Sequence, residues 1–592
     1  MIVELTRYRF LLFHTDVKLF LERLREVGLV DVTTTSWQGT PEQMELLEKA
    51  EHYKSVAKAM ASVRGEGHSF NKVKDAVSQW DSAVAEIEAL EVAIEKARLQ
   101  AQNVEIWGEF DPKAITHLRG QGIFVRFFEV ATKEFREDWS YEYPIEVVAT
   151  RGSNTYFVIA ASPEQEIDLP VIEHPAPMKS ADDYLADAAS YLEKQVCMQT
   201  LKARAALSAE AIMAESRHMR EQFEFARASE SGEEFAEGSL VVIEGWSEKA
   251  HMPAIEKFAQ GEEVVYFAEA AKEEHNPPVK LKNRFFARLF EPIGQLYMLP
   301  RYNELDVTPF FAPFFMIFFG MCFGDAGYGL LLIVAILVLW KRVPKKFHDF
   351  LWLGIFLNIA TVIFGLLTGN VFGIELAKME KLVEFKDYFI ANENMFNVAI
   401  GLGAVQVLFG QILRIFNRSK RGGSFLYGLS SLGWVILFIS LGVAFAELTP
   451  AFTVSSTAFY ITAGIACFLI LFMNSPGKNP FINFGKGLYS FYEQATGVIG
   501  DLISYVRLFA IGLAGAIIAQ VFNALSVGLS GDIPVVSWIV MAAILLIGHG
   551  LNIFISILGA FVHPVRLTFV EFYKNAEFEG GSRAFEPFKK VE

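Results

Sequence analysis

Two arginines stand in long apolar runs near the C-terminal end of this sequence. Arg507 lies in DLISYVRLFAIG, residues 501–512, and Arg566 lies in FVHPVRLTFVEF, residues 561–572. A guanidinium deep in hydrocarbon costs about 2.5 kcal/mol or more, so it faces protein or water and marks an ion path. The competing reading for Arg507 is an ion pair with Asp501 or Glu493. For Arg566 it is snorkelling to the membrane surface from the end of its run. Other polar residues accompany both. The run around Arg507 holds Glu493, Gln494, Asp501, Ser504, Gln520 and Asn523, and the run around Arg566 holds His549, Asn552, Ser556, His563 and Glu571. Spacings of three, four and seven put His549, Asn552, Ser556 and His563 near one helical face. Gln406, Gln411 and Glu447 stand in other apolar runs. A single such group reads as a helix–helix hydrogen bond. Two facing helices with this many point to aqueous pathways, and so to moving ions.

These residues need long apolar elements to hold them. The sequence suggests eight spans: 309–323, 326–341, 350–373, 395–416, 425–447, 457–474, 488–528 and 534–573. The first two are short and are divided only by Gly324-Asp325, so one long helix is the alternative. A run from Leu488 to Leu529 would be about 60 Å as one helix, twice the hydrocarbon thickness, which implies steep tilt or an interfacial part. The last span raises the same problem. Basic loops at 341–346 and 418–421, Lys478 and Lys486, and a C-terminus with Lys574, Arg583, Lys589 and Lys590 would share one side. The loops at 448–456 and 529–533 carry no Lys or Arg, and the loop at 374–394 is mixed. The positive-inside rule then makes both termini cytoplasmic. MIVELTRYRF at the start does not read as a secretory signal, which agrees.

The composition separates two halves. Of 592 residues, 52% are hydrophobic and 54 are Phe, but the sequence is charged and helix-rich up to about Asp306 and apolar beyond it. Net charge −15 argues against nucleic acid as a partner. Cys197, Cys322 and Cys467 lie far apart, with no CxxC pair, so neither a disulfide framework nor a metal site is expected. No cofactor motif is present: the N-terminal half has no Walker A loop, GxGxxG, HExxH or GxSxG pattern.

That half reads as a spacer with α/β ends. Residues 8–13 suggest a strand, Val17 to Val27 an amphipathic helix stopped by Gly28, and 29–32 a strand again. Thr40, Pro41 and Gln43 read as a capped helix start. The helix breaks at Gly65-Glu66-Gly67 and resumes near Asn71, where Trp80, Val84, Ile87, Leu90, Ile94 and Ala97 form a coiled-coil-like stripe. Residues 182–227 suggest a second long helix with Leu185, Leu192 and Val196, reaching on the order of 70 Å. Strand-like runs at 122–130, 156–160 and 240–246 complete two lobes. The expected fold is mostly α. A cytoplasmic domain, 1–290, has one α/β lobe from 1–40 and 235–270, an antiparallel hairpin from 41–103 and 182–230, and a distal lobe at 104–181. A transmembrane domain of about eight spans, 291–592, ends in two long tilted helices.

Several segments together resemble a known family. They are FGMCFGDAGYG at 319–329, RLFAIGLA from Arg507, HPVRLTFVEFY at 563–573 and EGGSRAFEPF at 579–588. PPVKLKN at 277–283 and EGW at 244–246 also fit. They resemble the membrane stator subunit of rotary V-type and A-type ATPases, called subunit a or subunit I, and the short length is similar to the bacterial form. The resemblance implies a non-catalytic subunit in a bacterial or archaeal cell membrane. Its partners would be a rotor proteolipid ring bearing carboxylates, peripheral stalk subunits, a central-stalk adaptor and lipid. Arg507 would be the stator arginine that lowers the pKa of each passing carboxylate, and Arg566 the second arginine. The remaining polar residues of the last two spans would line two offset half-channels for H⁺ or Na⁺. Two positions depart from the eukaryotic pattern: Ser556 stands where those members have glutamate, and Gly515 where they have histidine. The alternatives are a secondary ion transporter with a regulatory domain, weakened by the lack of an internal repeat, and a membrane-anchored scaffold, which leaves Arg507 unexplained.

Overall fold

The computed structural model describes all residues except 35–36, 38, 68, 164, 237, 377–391, 447–455, 476, 478, 530–533 and 591–592. Glu447, Lys478, the loop at 448–455 and most of the loops at 374–394 and 529–533 therefore lie outside the described residues. The chain forms two compact units. One comprises residues 1–16, 23–33 and 234–589, the other 17–22, 34–233 and 590–592. The elements up to residue 270 are β1 (Leu5–Phe13), α1 (Val17–Val27), β2 (Asp31–Val32), α2 (Pro41–Ala61), α3 (Val73–Glu105), α4 (Pro112–Gly120), β3 (Phe124–Ala131), β4 (Ile145–Arg151), β5 (Asn154–Ala161), β6 (Ile172–His174), α5 (Ala181–Ala206), α6 (Ala209–Glu230), β7 (Glu233–Phe235), β8 (Leu240–Glu248), α7 (Met252–Gly261) and β9 (Val265–Ala270).

In the unit centred on 34–233, α2 opens with a reciprocal capping box between Thr40 and Gln43, with Pro41 in the first turn. Helix α3 buries Trp80, Ile87, Leu90, Ile94 and Ala97 on one stripe and packs along α5, while α2 packs along α6. The pairings run in opposite chain directions. Lys202 lies over Trp80 and Gln195 bonds Glu91 at 3.1 Å. Ser216 donates to the Ala50 carbonyl and Gln43 donates to Glu230, both at 2.7 Å. The expected single helix over 182–227 is instead two, broken at Leu207-Ser208. The break sits level with the Gly65–Gly67 break, where Glu66 N–H reaches the Ala203 carbonyl at 3.3 Å. Leu185, Leu192 and Val196 are exposed, and Ala188, Ala205 and Ala206 are buried in their place. Small side chains allow the closer helix approach. The distal sheet has order β4-β5-β3-β6 around Phe128, Phe157 and Ile159.

The other unit contains a sheet of order β2-β8-β1-β9, with β7 on β8. Gly28, at φ +63°, closes α1 in the left-handed conformation. Buried Asp31 accepts both bonds of Arg583 Nη1, at 2.8 and 2.9 Å, and the Glu586 N–H at 2.9 Å. Burial raises the Asp31 carboxyl above its usual range, against the pull of Arg583. The 579–588 segment is thereby tied to the sheet.

The same unit holds the apolar helices: α8 (Phe285–Gln295), α9 (Thr308–Phe323), α10 (Ala326–Leu339), α11 (His348–Thr368), α12 (Asn392–Gly422), α13 (Leu429–Ala446), α14 (Ser456–Phe472), α15 (Pro480–Gly528) and α16 (Pro534–Arg566). A π-helical stretch, Leu567–Phe572, and a last turn, α17 (Tyr573–Asn575), follow. Among the described residues, five helices are long and apolar enough to cross a membrane, or up to six with the α9–α10 pair as one span, and α14 is a shorter apolar helix. That pair is bent by 117° at Gly324, φ +48°, so it is not one straight helix. Helix α15 has 49 residues and is about 74 Å long, longer than the expected run because it begins at Pro480.

Phe311, Phe315, Phe318, Tyr505 and Phe572 form the centre of the apolar packing. Glycines let the helices touch. A methyl on Gly365 would lie 2.1 Å from the Ala326 backbone nitrogen, and one on Gly320 would lie 2.7 Å from the Ala360 carbonyl. Gly365→Ala is therefore expected to lose about 1–3 kcal/mol by overpacking. Thermal unfolding of the detergent-solubilised protein should show a lower midpoint, and an unchanged midpoint would contradict this packing.

Candidate functional site

Helices α15 and α16 lie against each other in opposite directions. Phe522 packs opposite Gly548, Ser556 opposite Gly515, and Ile511 opposite Gly559. One turn beyond Ile511, this register sets Arg507 level with His563. His563 feels the positive charge of both Arg507 and Arg566. Arg507 is half-buried, and its Nη1 is buried with no hydrogen-bond partner. The expected alternative of an ion pair with Asp501 or Glu493 is not formed. Asp501 instead accepts from Asn575 Nδ2 at 2.7 Å and faces Lys574 Nζ at 3.4 Å, and Glu493 is exposed. Arg566 is also exposed, and the π-helical stretch begins directly after it. Such stretches widen a helix by one residue per turn and are common at functional sites. This one contains Glu571, which is buried and leaves Oε2 unpartnered, while Ser504 donates to the Gly500 carbonyl at 3.1 Å.

Polar residues fall into two groups on either side of Arg507. On one side stand Gln494, Asp501, Ser504 and Glu571. Gln494 accepts from Arg414 Nη1 at 2.7 Å and donates to Asn575 Oδ1 at 3.2 Å. Gln411 donates to the same oxygen at 2.9 Å. On the other side stand Gln520, Asn523, His549, Asn552 and Ser556. Gln520 donates to Glu375 at 2.8 Å, and Asn523 donates to the Phe372 carbonyl at 2.8 Å. His549 Nε2 meets Asn523 Oδ1 at 3.1 Å, and His549 Nδ1 meets Tyr328 Oη at 2.5 Å. Asn552 donates to Tyr328 Oη at 3.1 Å and to the Gly515 carbonyl at 3.0 Å, and Ser556 donates to Asn552 Oδ1 at 3.4 Å. His549, Asn552 and Ser556 thus meet α15 from one face of α16, as their spacing suggests. His563 shares the Arg507 level, with Nδ1 unpartnered. Between the groups, Leu508, Ile511 and Gly559 are apolar or small.

Several participants escape the sequence reading. Tyr328 lies in the GDAGYG motif, but a tyrosine in an apolar run looks like core. Tyr505 donates to Gln406 at 2.6 Å and is missed for the same reason. Arg414, Arg418 and Arg421 looked partly like a basic loop. They lie inside α12, at a spacing that puts them on one face, which was the available signal. All three converge on Glu577, at 2.5, 2.7 and 3.1 Å, and Arg421 also pairs with Glu579. Arg418 and Arg421 are therefore held in a clamp rather than free in a loop.

Burial pulls the Glu577 carboxyl upward, but the guanidiniums of Arg414, Arg418 and Arg421 outweigh it and hold it below the ordinary 4.5. A depressed carboxylate contributes stability above its unfolded value and loses it as pH falls through the folded one. Glu577→Gln is expected to cost about 3 kcal/mol near neutral pH by leaving the arginines uncompensated. The deficit should shrink in acid as the wild-type carboxylate protonates. Thermal unfolding across pH reads both, and a pH-independent deficit would contradict the clamp.

Residues 233–358 match the V-type ATPase 116kDa subunit family. An A-type ATP synthase subunit I of Methanocaldococcus jannaschii is 30% identical over 390 residues, 59% of this chain and 54% of that one. A V-type ATP synthase subunit I of Borreliella burgdorferi is 24% identical over 629 residues, spanning 100% of both chains. An A-type ATP synthase subunit I of Pyrococcus abyssi is 34% identical over 346 residues, 56% of this chain and 51% of that one. The chain therefore spans about half the length of the Methanocaldococcus and Pyrococcus relatives and the full length of the Borreliella one.

Proposed function

We propose that this chain, which belongs to the V-type ATPase 116kDa subunit family, is the non-catalytic membrane stator of a rotary ion-translocating ATPase. The observation that carries the reading is the half-buried Arg507 guanidinium, whose Nη1 has no partner while Asp501 is engaged by Asn575 and Lys574. A fixed cation without an internal counter-ion favours the ionised form of an acid brought to it from another chain. A rotor carboxylate reaching Arg507 would release its ion there and could not carry it past. The two polar groups flanking Arg507 would serve as half-channels, one toward each side of the membrane. Rotation of a carboxylate-bearing ring is then the way an ion passes from one to the other. Arg566 would assist on the side of Asp501, Ser504 and Glu571.

On this reading residues 291–592 form the transmembrane domain, in about eight spans, with both termini cytoplasmic in a bacterial or archaeal cell membrane. Residues 1–290 form the stator domain, whose antiparallel hairpin and two α/β lobes resist torque by binding peripheral stalks. The ring adaptor and lipid are the further partners. The opposite packing directions of α2 with α6 and of α3 with α5 support the hairpin.

Arg507→Ala is expected to abolish ATP-driven ion pumping in membrane vesicles while the chain still assembles with the ring and the ATP-hydrolysing head. Arg507→Lys is expected to fail or be weak, because a desolvated lysine can give up its proton. Substantial pumping by Arg507→Ala would overturn the proposal.

A further inference from the structure

A basic and aromatic shelf lies outside the site described above. Helix α10 runs into a loop that carries Lys341, Arg342, Lys345 and Lys346, all exposed, and α11 starts at His348. Among the described residues none of the four pairs with an acid, and Lys346 lies over the neighbouring Phe347 ring at 5.0 Å. Basic groups elsewhere in the unit are committed: Arg414, Arg418 and Arg421 to Glu577, and Arg583 to Asp31. Rings bridge the loop to α8. Trp340 lies 4.9 Å from His348 and 5.5 Å from Trp352, Trp352 meets Phe285 at 5.9 Å, and Arg288 lies over Phe285 at 5.7 Å. Arg284, at the start of α8, and Arg288, one turn on, are both exposed. The neighbouring acids are Asp349, 3.4 Å from Arg288, and Glu291, which accepts from Asn283 at 2.9 Å. Basic groups thus outnumber acids on this shelf, in a chain whose net charge is −15.

An aliphatic face adjoins the shelf. Leu330, Val334, Leu337 and Val338 are exposed at spacings of three and four on α10, while Ile336 packs on Gly354 of α11. Phe347, Phe350 and Trp352 are exposed at the end of that face. Contiguous apolar surface of this kind marks a place that something other than water covers.

We infer that this shelf binds the headgroup of an anionic phospholipid; this rests on the membrane reading of residues 291–592 above. Such a lipid matches both surfaces, with phosphate for the basic groups and acyl chains for the α10 face. Arginine presents two parallel N–H groups to phosphate oxygens, and lysine presents a point charge. Tryptophan beside a basic loop at the end of an apolar helix is the composition of the lipid–water boundary. An acidic protein surface would answer the charges and leave the aliphatic face open. A zwitterionic lipid would cover the face but bring a cation with each phosphate. The anionic headgroup also relieves the repulsion within Lys341-Arg342 and Lys345-Lys346, which no acid of this chain offsets.

The test titrates the detergent-purified full chain with phosphatidylglycerol or phosphatidylcholine and counts retained lipid by native mass spectrometry. The wild type should retain phosphatidylglycerol at roughly tenfold lower concentration, a preference that fades as salt is raised. A basic group near an anionic surface strengthens binding about fivefold. Lys345→Gln with Lys346→Gln should therefore erase the preference and leave phosphatidylcholine retention unchanged, with Lys341 and Arg342 still marking the loop. Lys345→Arg with Lys346→Arg should keep it. Glycerol 3-phosphate, the soluble headgroup alone, should not compete at matched concentration. Equal retention of the two lipids by the wild type, an unchanged preference in the glutamine variant, or full competition by glycerol 3-phosphate overturns the lipid site. Each of those results spares the stator reading, which the pumping of Arg507→Ala reads separately. Normal pumping by Arg507→Ala with phosphatidylglycerol still preferred rejects the stator and keeps the lipid site.

Discussion

A guanidinium that is half out of water, with one nitrogen unsatisfied, is the constraint around which the C-terminal helices are arranged. The natural relief for Arg507 is an acid of its own chain, and Asp501 is available on the same helix. The fold withholds it: Asn575 and Lys574 occupy Asp501. The π-helical stretch follows directly after Arg566 and carries Glu571 into the same region. The cation is left with a buried Nη1 that has no hydrogen-bond partner, a state that is costly unless an external anion shares it.

The rest of the unit separates the two polar groups. Apolar and small residues at Leu508, Ile511 and Gly559 divide them. On one side the Arg414–Arg418–Arg421 clamp fixes the segment after α17, and the Asp31–Arg583 bond ties that segment to the sheet. On the other side Asp325 fixes the bend between α9 and α10 and the short turn at Phe372-Gly373. A fixed charge between two rigid polar groups can direct an ion, whereas a mobile one would let it pass straight through.

The long elements were legible because their signals are local. The Thr40–Gln43 box and the Trp80–Ala97 stripe announce helices regardless of tertiary context. Arg507 and Arg566 stand out because nothing nearby in sequence explains them. What escaped reading depends on distant partners. Tyr328 and His549 are separated by more than two hundred residues, and only packing of the bent α9–α10 pair against α16 brings them together. Arg418 and Arg421 look like loop charge until Glu577 is seen beside them. The break at Leu207 leaves no glycine or proline mark in α5–α6, because it answers the glycines at 65 and 67 across the packing. The π-helical stretch has no sequence signature of its own.

The central claim is that Arg507 has its counter-ion on another chain. A structure of the assembled complex in lipid tests it most directly. The account predicts the Arg507 guanidinium within a few ångströms of a carboxylate on a membrane ring, on the order of a single ion-pair distance, with Asp501 still bound to Asn575. Arg507 turned onto Asp501 or Glu571 of its own chain, or pointing at lipid headgroups away from any ring, would contradict it.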